Sequence, residues 1–225
     1  MIYKSVLNRF QWTKYSLYVY FASLFLLVIL NCLELNLYNN DGLVFYDGEV
    51  LYKEDHAWRL LGLSGFSAIV SLITLVITFL MWIHRAYSNL PFLGNVNPKT
   101  TPGWAVGWWF IPIAFLFKPY DVMKEIDIWS VESDDDLSAN TLRLWWAFWI
   151  GSYVLPSALR YVPNSNIEEH INVILFNIVL YIVELLASIL MLKIVSSITY
   201  NQETKSYKKA GILEKQNFSR DIRNT

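Results

Sequence analysis

Cysteine is nearly absent from this sequence. Cys32 is the only one in 225 residues, so no disulfide can close within the chain and no thiolate metal centre can form. Histidine is almost as scarce: His56, His84 and His170 lie far apart, with no paired-histidine zinc helix. The chain has no glycine-rich phosphate loop and no nucleophile elbow. No nucleophile, base and orienting group recur together, so an enzyme is not expected. No metal and no cofactor are expected either. Charge is thin as well. Charged residues make up 16% of the chain, against about 25% in a soluble domain. The net charge of −1 says little, because the placement of the charges matters more than their sum.

What is present is apolar and blocked into runs; 55% of residues are hydrophobic. Tyr15 to Leu33 is 19 residues without a charge, Leu60 to Ile83 is 24, and Leu144 to Leu159 is 16. Ile171 to Leu192 is 22, broken only by Glu184. A membrane helix needs about 20 mainly apolar residues. The 16-residue run is extended by Arg143 and Arg160, whose long side chains can snorkel. These runs predict an all-α integral membrane protein with four transmembrane helices, at about 15–35, 60–83, 142–160 and 170–193. The first run, preceded by Lys4, Arg9 and Lys14, has no small-residue cleavage site after it and reads as an uncleaved signal anchor.

A fifth apolar stretch, "PGWAVGWWFIPIAFLFKPY" at 102–120, is different. Trp104 to Phe117 is 14 residues, about 21 Å as a helix against about 30 Å of hydrocarbon. Pro112 removes an amide donor inside it and Pro119 closes it. If the stretch crosses the bilayer, the basic residues fall mainly outside. If it enters and returns on one side, fifteen of the eighteen basic residues lie in the cytoplasm, as the positive-inside bias favours. Residues 102–119 are therefore expected to form a Trp/Pro-rich re-entrant or interfacial hairpin, with a short fifth span as the alternative. A broken backbone at that depth needs protein or a wet cavity around it.

Between the spans, "LVFYDGEVLY" at 43–52 reads as two short strands around Asp47-Gly48. Residues 120–130 place Val122, Met123, Ile126 and Trp129 near one face, which predicts an amphipathic surface helix. The domain plan is a basic cytoplasmic N-terminus (1–14), one membrane domain (15–198) and a polar, basic, mobile cytoplasmic tail (199–225). The tail is expected to touch anionic lipid.

A few polar groups stand out inside the runs. Asn177, Tyr181, Glu184 and Ser188 follow i, i+4, i+7, i+11 and share one helix face. A membrane glutamate is costly unless paired, protonated or wet. Glu184, Tyr181 and Asn177 are candidates to line a cavity floored by Trp108, Trp109 and Pro112; a structural hydrogen bond between helices is the plainer alternative. Ser64, Ser67, Ser71, Thr74 and Thr78 form a small-residue stripe, with Gly62 and Gly65 at one end, suited to close helix packing. Arg85 and Asn89, one turn apart, could reach a phospholipid phosphate or bond to the loop carrying Gly94 and Pro98.

The pieces "WIHRAYSNL", "TPGWAVGWWFIPIAFLFKPYDVMKEIDIW" and "WWAFW" between Trp82 and Trp149 resemble a bacterial membrane family known as domain of unknown function 4328. The resemblance carries over to Arg85, Asn89, Pro102, Gly103, Trp104, Gly107, Trp108, Trp109, Pro112, Pro119, Trp129, Trp145 and Trp146. One departure is Phe115, where the family more often has asparagine. The resemblance implies a multi-span bacterial membrane protein and no particular activity; a place in the inner membrane with both termini cytoplasmic is expected from the distribution of the basic residues.

Two function classes remain. The first is a non-enzymatic membrane protein that binds lipid or a partner at its inner face, its partners being membrane lipid, copies of itself or other membrane proteins, and not nucleic acid. The second is a small oligomeric transporter or channel that uses the re-entrant segment and Glu184.

Overall fold

The computed structural model describes residues 2–39, 43–46, 49–52, 55–131, 139–159 and 167–223. Helices dominate. α1 is Leu7–Asn39, α2 Asp55–Ser88, α3 Leu90–Leu93, α4 Pro102–Gly107, α5 Lys118–Ser130, α6 Ala139–Leu159 and α7 Ile167–Arg223. Two strands, β1 (Leu43–Tyr46) and β2 (Glu49–Tyr52), pair antiparallel with Leu43 opposite Tyr52 and Tyr46 opposite Glu49. The hairpin read from the sequence is therefore present; its Asp47-Gly48 turn lies outside the described residues.

Among the described residues, three helices are long and apolar enough to cross a membrane: Leu7–Asn36, Gly62–Ser88 and Ile171–Gly211. The expected third span corresponds to α6, which has 21 residues. Trp145, Trp146, Trp149, Tyr153 and Pro156 dilute its apolar character. Trp146 stacks on Trp149 at 5.0 Å between ring centroids, and Trp149 meets Tyr153 at 4.9 Å. These rings are large but carry polar N–H and O–H groups, so they count less toward hydropathy than aliphatic side chains of equal size.

The chain divides into two compact units. The division falls inside α1 at Lys14/Tyr15, inside α2 at Val76/Ile77, inside α6 at Leu142/Arg143 and inside α7 at Met191/Leu192. The second unit, 15–76 with 143–191, contains most of the long apolar runs. Its buried side chains include Leu17, Leu24, Leu75, Ile174 and Leu180, while Phe25, Phe66, Ile73, Val179 and Ile182 are exposed. Aliphatic and aromatic residues thus lie on both the inside and the outside of its helices, the pattern of helices in an apolar solvent.

The small-residue stripe of α2 divides accordingly. Ser64 and Ser71 are buried, and Ser71 Oγ lies 3.3 Å from Ser23 Oγ of α1. Ser67 and Thr74 are exposed, and each hydroxyl donates to a carbonyl of its own helix. Gly62 and Gly65 meet no neighbour where a Cβ would stand, so the close approach expected at these glycines is absent among the described residues.

The first unit, 1–14 with 77–142 and 192–225, differs in character. Trp82, Ile83, Ala86, Leu90, Met123, Ile126, Ile194 and Ile198 form its apolar core, each large side chain contributing about 1.5–3 kcal/mol by burial. Mixed into this core are buried Asn89, Asn95, Glu125, Ser130, Gln202 and Glu203. Residues 102–117 are a chain of short pieces. Thr101 Oγ1 accepts from the Trp104 amide as the cap of α4, with Pro102 in its first turn. Two single 3-10 turns follow at Trp108–Phe110 and Ala114–Leu116, separated by the bend at Ile111–Ile113 that contains Pro112. The backbone is broken where the prolines and glycines predict it.

Two elements carry more structure than their local sequence pattern announces. The tail is helical: α7 runs unbroken to Arg223. Thr199, Gln202, Glu203 and Ser206 are buried on one face of it at steps of three, one and three residues. A polar stretch can hold a helix when its polar face is met by partners, and these residues are. The amphipathic helix is also more than a surface element. α5 buries Val122, Met123 and Ile126 as expected, but Glu125 and Asp127 are buried with them.

Candidate functional site

The candidate residues fall into the two units. Asn177, Tyr181 and Glu184 belong to the second, whereas Arg85, Asn89, Trp108, Trp109 and Pro112 belong to the first.

In the second unit Glu184 has a defined partner. The Tyr20 hydroxyl of α1 donates to its carboxylate oxygen Oε2 at 2.8 Å. The Ser188 hydroxyl donates to the Glu184 main-chain carbonyl one turn on. Asn177 and Tyr181 are half-buried on the same helix. The geometry is that of an interhelical hydrogen bond between α1 and α7, the plainer of the two readings of Glu184. Tyr20, which no sequence pattern marks, supplies it. The signal was available in principle: a tyrosine inside an apolar run needs an acceptor for its hydroxyl.

In the first unit the aromatic residues of the broken segment pack locally. Trp108 lies against Trp104, centroids 4.9 Å apart, with the Lys118 ammonium 5.8 Å from its ring. Trp109 meets the Phe79 ring of α2 edge-on at 5.4 Å, a favourable aromatic geometry. Pro112 is exposed. Exposed beside it are Phe110, Ile111, Ile113, Leu116 and Phe117. Phe115, the departure from the family pattern, is half-buried.

The polar residues of this unit form a connected network. Gln202 Nε2 donates to the Ala86 carbonyl and to Ser130 Oγ, both at 3.1 Å, and its Oε1 accepts from Asn89 Nδ2 at 3.4 Å. The Trp82 indole N–H donates to Thr199 Oγ1 at 3.0 Å. Lys205 Nζ donates to the carbonyls of Trp129 and Val131 at 2.9 and 3.0 Å, which closes the C-terminal end of α5. Glu203 accepts from the Ser5 hydroxyl at 2.6 Å and from the Val6 amide at 2.8 Å.

Glu125 organises the loop between α3 and α4. It accepts from the Tyr87 hydroxyl at 2.7 Å, from Asn95 Nδ2 at 2.9 Å and from the Lys99 amide at 3.0 Å. The Tyr87 oxygen in turn accepts from the Thr100 amide at 3.1 Å. Gly94, at φ +121°, ends α3 and lets the chain turn into this loop.

Asn89 was expected to reach a phosphate or the Gly94–Pro98 loop. It does something else. Its Nδ2 donates to the Lys4 carbonyl at 2.9 Å, and its Oδ1 accepts from the Lys4 amide at 3.2 Å. The side chain mimics a paired strand and ties the N-terminal segment to the end of α2. Arg85 sits beside a cavity of about 310 Å³ that Lys4, Arg9 and His84 also line. Arg85 stands out in the sequence; Lys4 and Arg9 are some eighty residues away from it, so their convergence cannot be read from spacing. Among the described residues, no group of three or more His, Cys, Asp or Glu side chains could hold a metal ion.

The sequence model of a family described as Domain of unknown function (DUF4328) matches residues 52–200 of this chain. Comparison with curated proteins and with solved structures gave no match.

Proposed function

We propose that this chain, which belongs to the DUF4328 family, is a non-enzymatic integral membrane protein that binds lipid at the cytoplasmic face of a cell membrane. The observation that carries this reading is the character of residues 104–117. Trp104, Phe110, Ile111, Ile113, Leu116 and Phe117 are all exposed. The next element, α5, is more polar, and its buried Glu125 accepts three hydrogen bonds. Several large apolar side chains on consecutive short turns are expensive in water, at about 1.5–3 kcal/mol each, and favourable in the outer part of a bilayer leaflet. A stretch of about 21 Å is too short to cross, and Lys118 at its end has a cation-over-ring contact with Trp108 and Phe117, as suits a headgroup boundary. On this reading the segment returns to the face it left, and the carbonyl left without an amide donor by Pro112 is satisfied by protein or headgroup water.

The test is depth. A nitroxide is attached at Ile113→Cys in a Cys32→Ser background, with the protein in lipid nanodiscs. Oxygen, which concentrates in hydrocarbon, should relax the label far more than a water-soluble nickel chelate. A label at the exposed Val96 should show the reverse. Equal access of the nickel chelate to both sites rejects the membrane-immersed segment.

A further inference from the structure

The cavity beside Arg85 carries charge of one sign. Its walls include Lys4, Arg9, His84 and Arg85, and no acidic side chain lines it. Arg9 and Arg85 act electrostatically on one another, and both act on His84. None of the three makes an ion pair among the described residues. The arrangement is held in place rather than loose. Asn89 grips the Lys4 main chain on both its amide and its carbonyl. Arg9 Nη1 donates to the Met81 carbonyl in α2 at 2.6 Å. Arg85 projects from the last turn of the same helix.

The end of a helix attracts cations, which is the plainest reason for basic residues here. That attraction corresponds to roughly half an elementary charge. Lys4, Arg9 and Arg85 bring a permanent positive charge each, so most of the charge is left unbalanced. Like charges held together are costly, and the cost is removed by an anion between them. The donors available define that anion. Arg85 has no other hydrogen-bond partner among the described residues, so its planar fork is free for two parallel bonds. Arg9 keeps donors beyond the one spent on Met81. Ser88 gives its proton to the His84 carbonyl at 2.6 Å, so its hydroxyl offers no donor. The half-buried ring of Phe92, with Lys209 Nζ 5.2 Å from its centroid, adds an apolar wall with a further cation at the rim. The volume is at the lower end for a small-molecule site.

We infer that this cavity binds a phosphate group, with Arg85 and Arg9 as the bidentate and supporting donors and Lys4 as the third cation. A phosphate of an anionic lipid is the source that fits the proposed function, on which this identification of the source rests; free phosphate shares the chemistry.

The experiment uses the full-length protein in a neutral detergent, titrated by calorimetry with dioctanoyl phosphatidylglycerol, with dioctanoyl phosphatidylcholine and with inorganic phosphate. Wild type should bind the phosphatidylglycerol, and Arg85→Gln and Arg9→Gln should each weaken binding at least tenfold. Lys124→Gln, an exposed cation on α5, should leave it unchanged. Arg85→Lys keeps the charge without the fork and should fall between. Each variant is first shown to melt as wild type does. Inorganic phosphate bound as tightly as the lipid keeps the site and makes free phosphate the ligand. Binding that is unaltered by Arg85→Gln, or no binding of either anion, overturns the site. The nitroxide measurement at Ile113 separates the two readings. A label in water with phosphate still bound sinks the membrane segment and leaves the cavity, whereas a label in lipid with no anion bound does the opposite.

Discussion

Gln202 shows how a polar residue can hold a core together. It is fully buried, at 0% exposure, and uses both ends of its amide. Its removal leaves the Ala86 carbonyl, Ser130 and Asn89 each short of a partner. A buried group left unpaired costs about 1–3 kcal/mol, and truncation also opens a cavity. Gln202→Ala should destabilise the protein by about 3–4 kcal/mol, read as a shift in the unfolding midpoint in detergent. Gln202→Glu keeps the volume but buries a charge and should be at least as damaging. Were Gln202→Ala neutral, the network would not be holding the first unit together. Gly94 makes a smaller and sharper case. A Cβ there would have room, with the Trp129 ring 3.7 Å away, but φ is +121°. Gly94→Ala should therefore cost about 1–2 kcal/mol through the backbone alone, in the same assay. Neither residue's role was legible in the sequence. A glutamine in a polar tail and a glycine before an asparagine have no periodic signature; their burial and backbone angle come from tertiary contacts.

At the level of the element, α7 is where sequence and structure diverge most. Its apolar half was legible, because a run of 22 residues broken by one glutamate has few other uses. Its polar half was not. Hydropathy falls at Thr199, and a polar stretch without partners is expected to fray. The partners of Thr199, Gln202, Glu203 and Lys205 come from the N-terminal segment, α2 and α5, and no local pattern announces them. Amide hydrogen exchange should then find residues 194–206 as slow as the apolar half. Fast exchange from Thr199 onward would mean a mobile tail after all. The same helix carries Glu184, which accepts from the Tyr20 hydroxyl of α1. If its bond to Tyr20 is structural, Tyr20→Phe and Glu184→Gln should each cost stability, and the double variant should cost less than their sum by about 0.5–1.5 kcal/mol. A coupling near zero, with solute flux in liposomes that Glu184→Gln abolishes, would favour the pathway reading instead. The breaks in the backbone of 102–117, by contrast, are legible locally. Pro102, Pro112 and Pro119 each fix a local angle or delete a donor, so the breaks at 102–117 follow from residue chemistry with no tertiary information.

Across the whole chain, the number of crossings decides which face carries the cavity and the broken segment. Length and composition identify α1, α2 and α7. α6 decides the rest. It has 21 residues, about 31 Å at helical rise, which matches the hydrocarbon thickness. Its three tryptophans and Tyr153 lower its hydropathy, but such rings are at home near the boundary between lipid and water. If α6 crosses and 104–117 does not, the chain crosses four times and fifteen of its eighteen basic residues share one side. If α6 stays on one side, Arg143 and Arg160 share a face and the termini are opposed, so the basic N-terminal segment and the basic end of α7 are separated by the bilayer. The positive-inside bias favours the first arrangement. Single cysteines at Ser133, Ser165 and Ser219 in a Cys32→Ser background test it with a membrane-impermeant reagent on intact cells. We expect Ser165→Cys alone to react from outside, and the other two only after the cells are opened. Reaction of Ser133→Cys from outside would mean that 104–117 crosses the bilayer. The phosphate cavity, built from the N-terminal segment and the end of α2, would remain at the inner face only if Lys4 and Arg85 still share the cytoplasmic side.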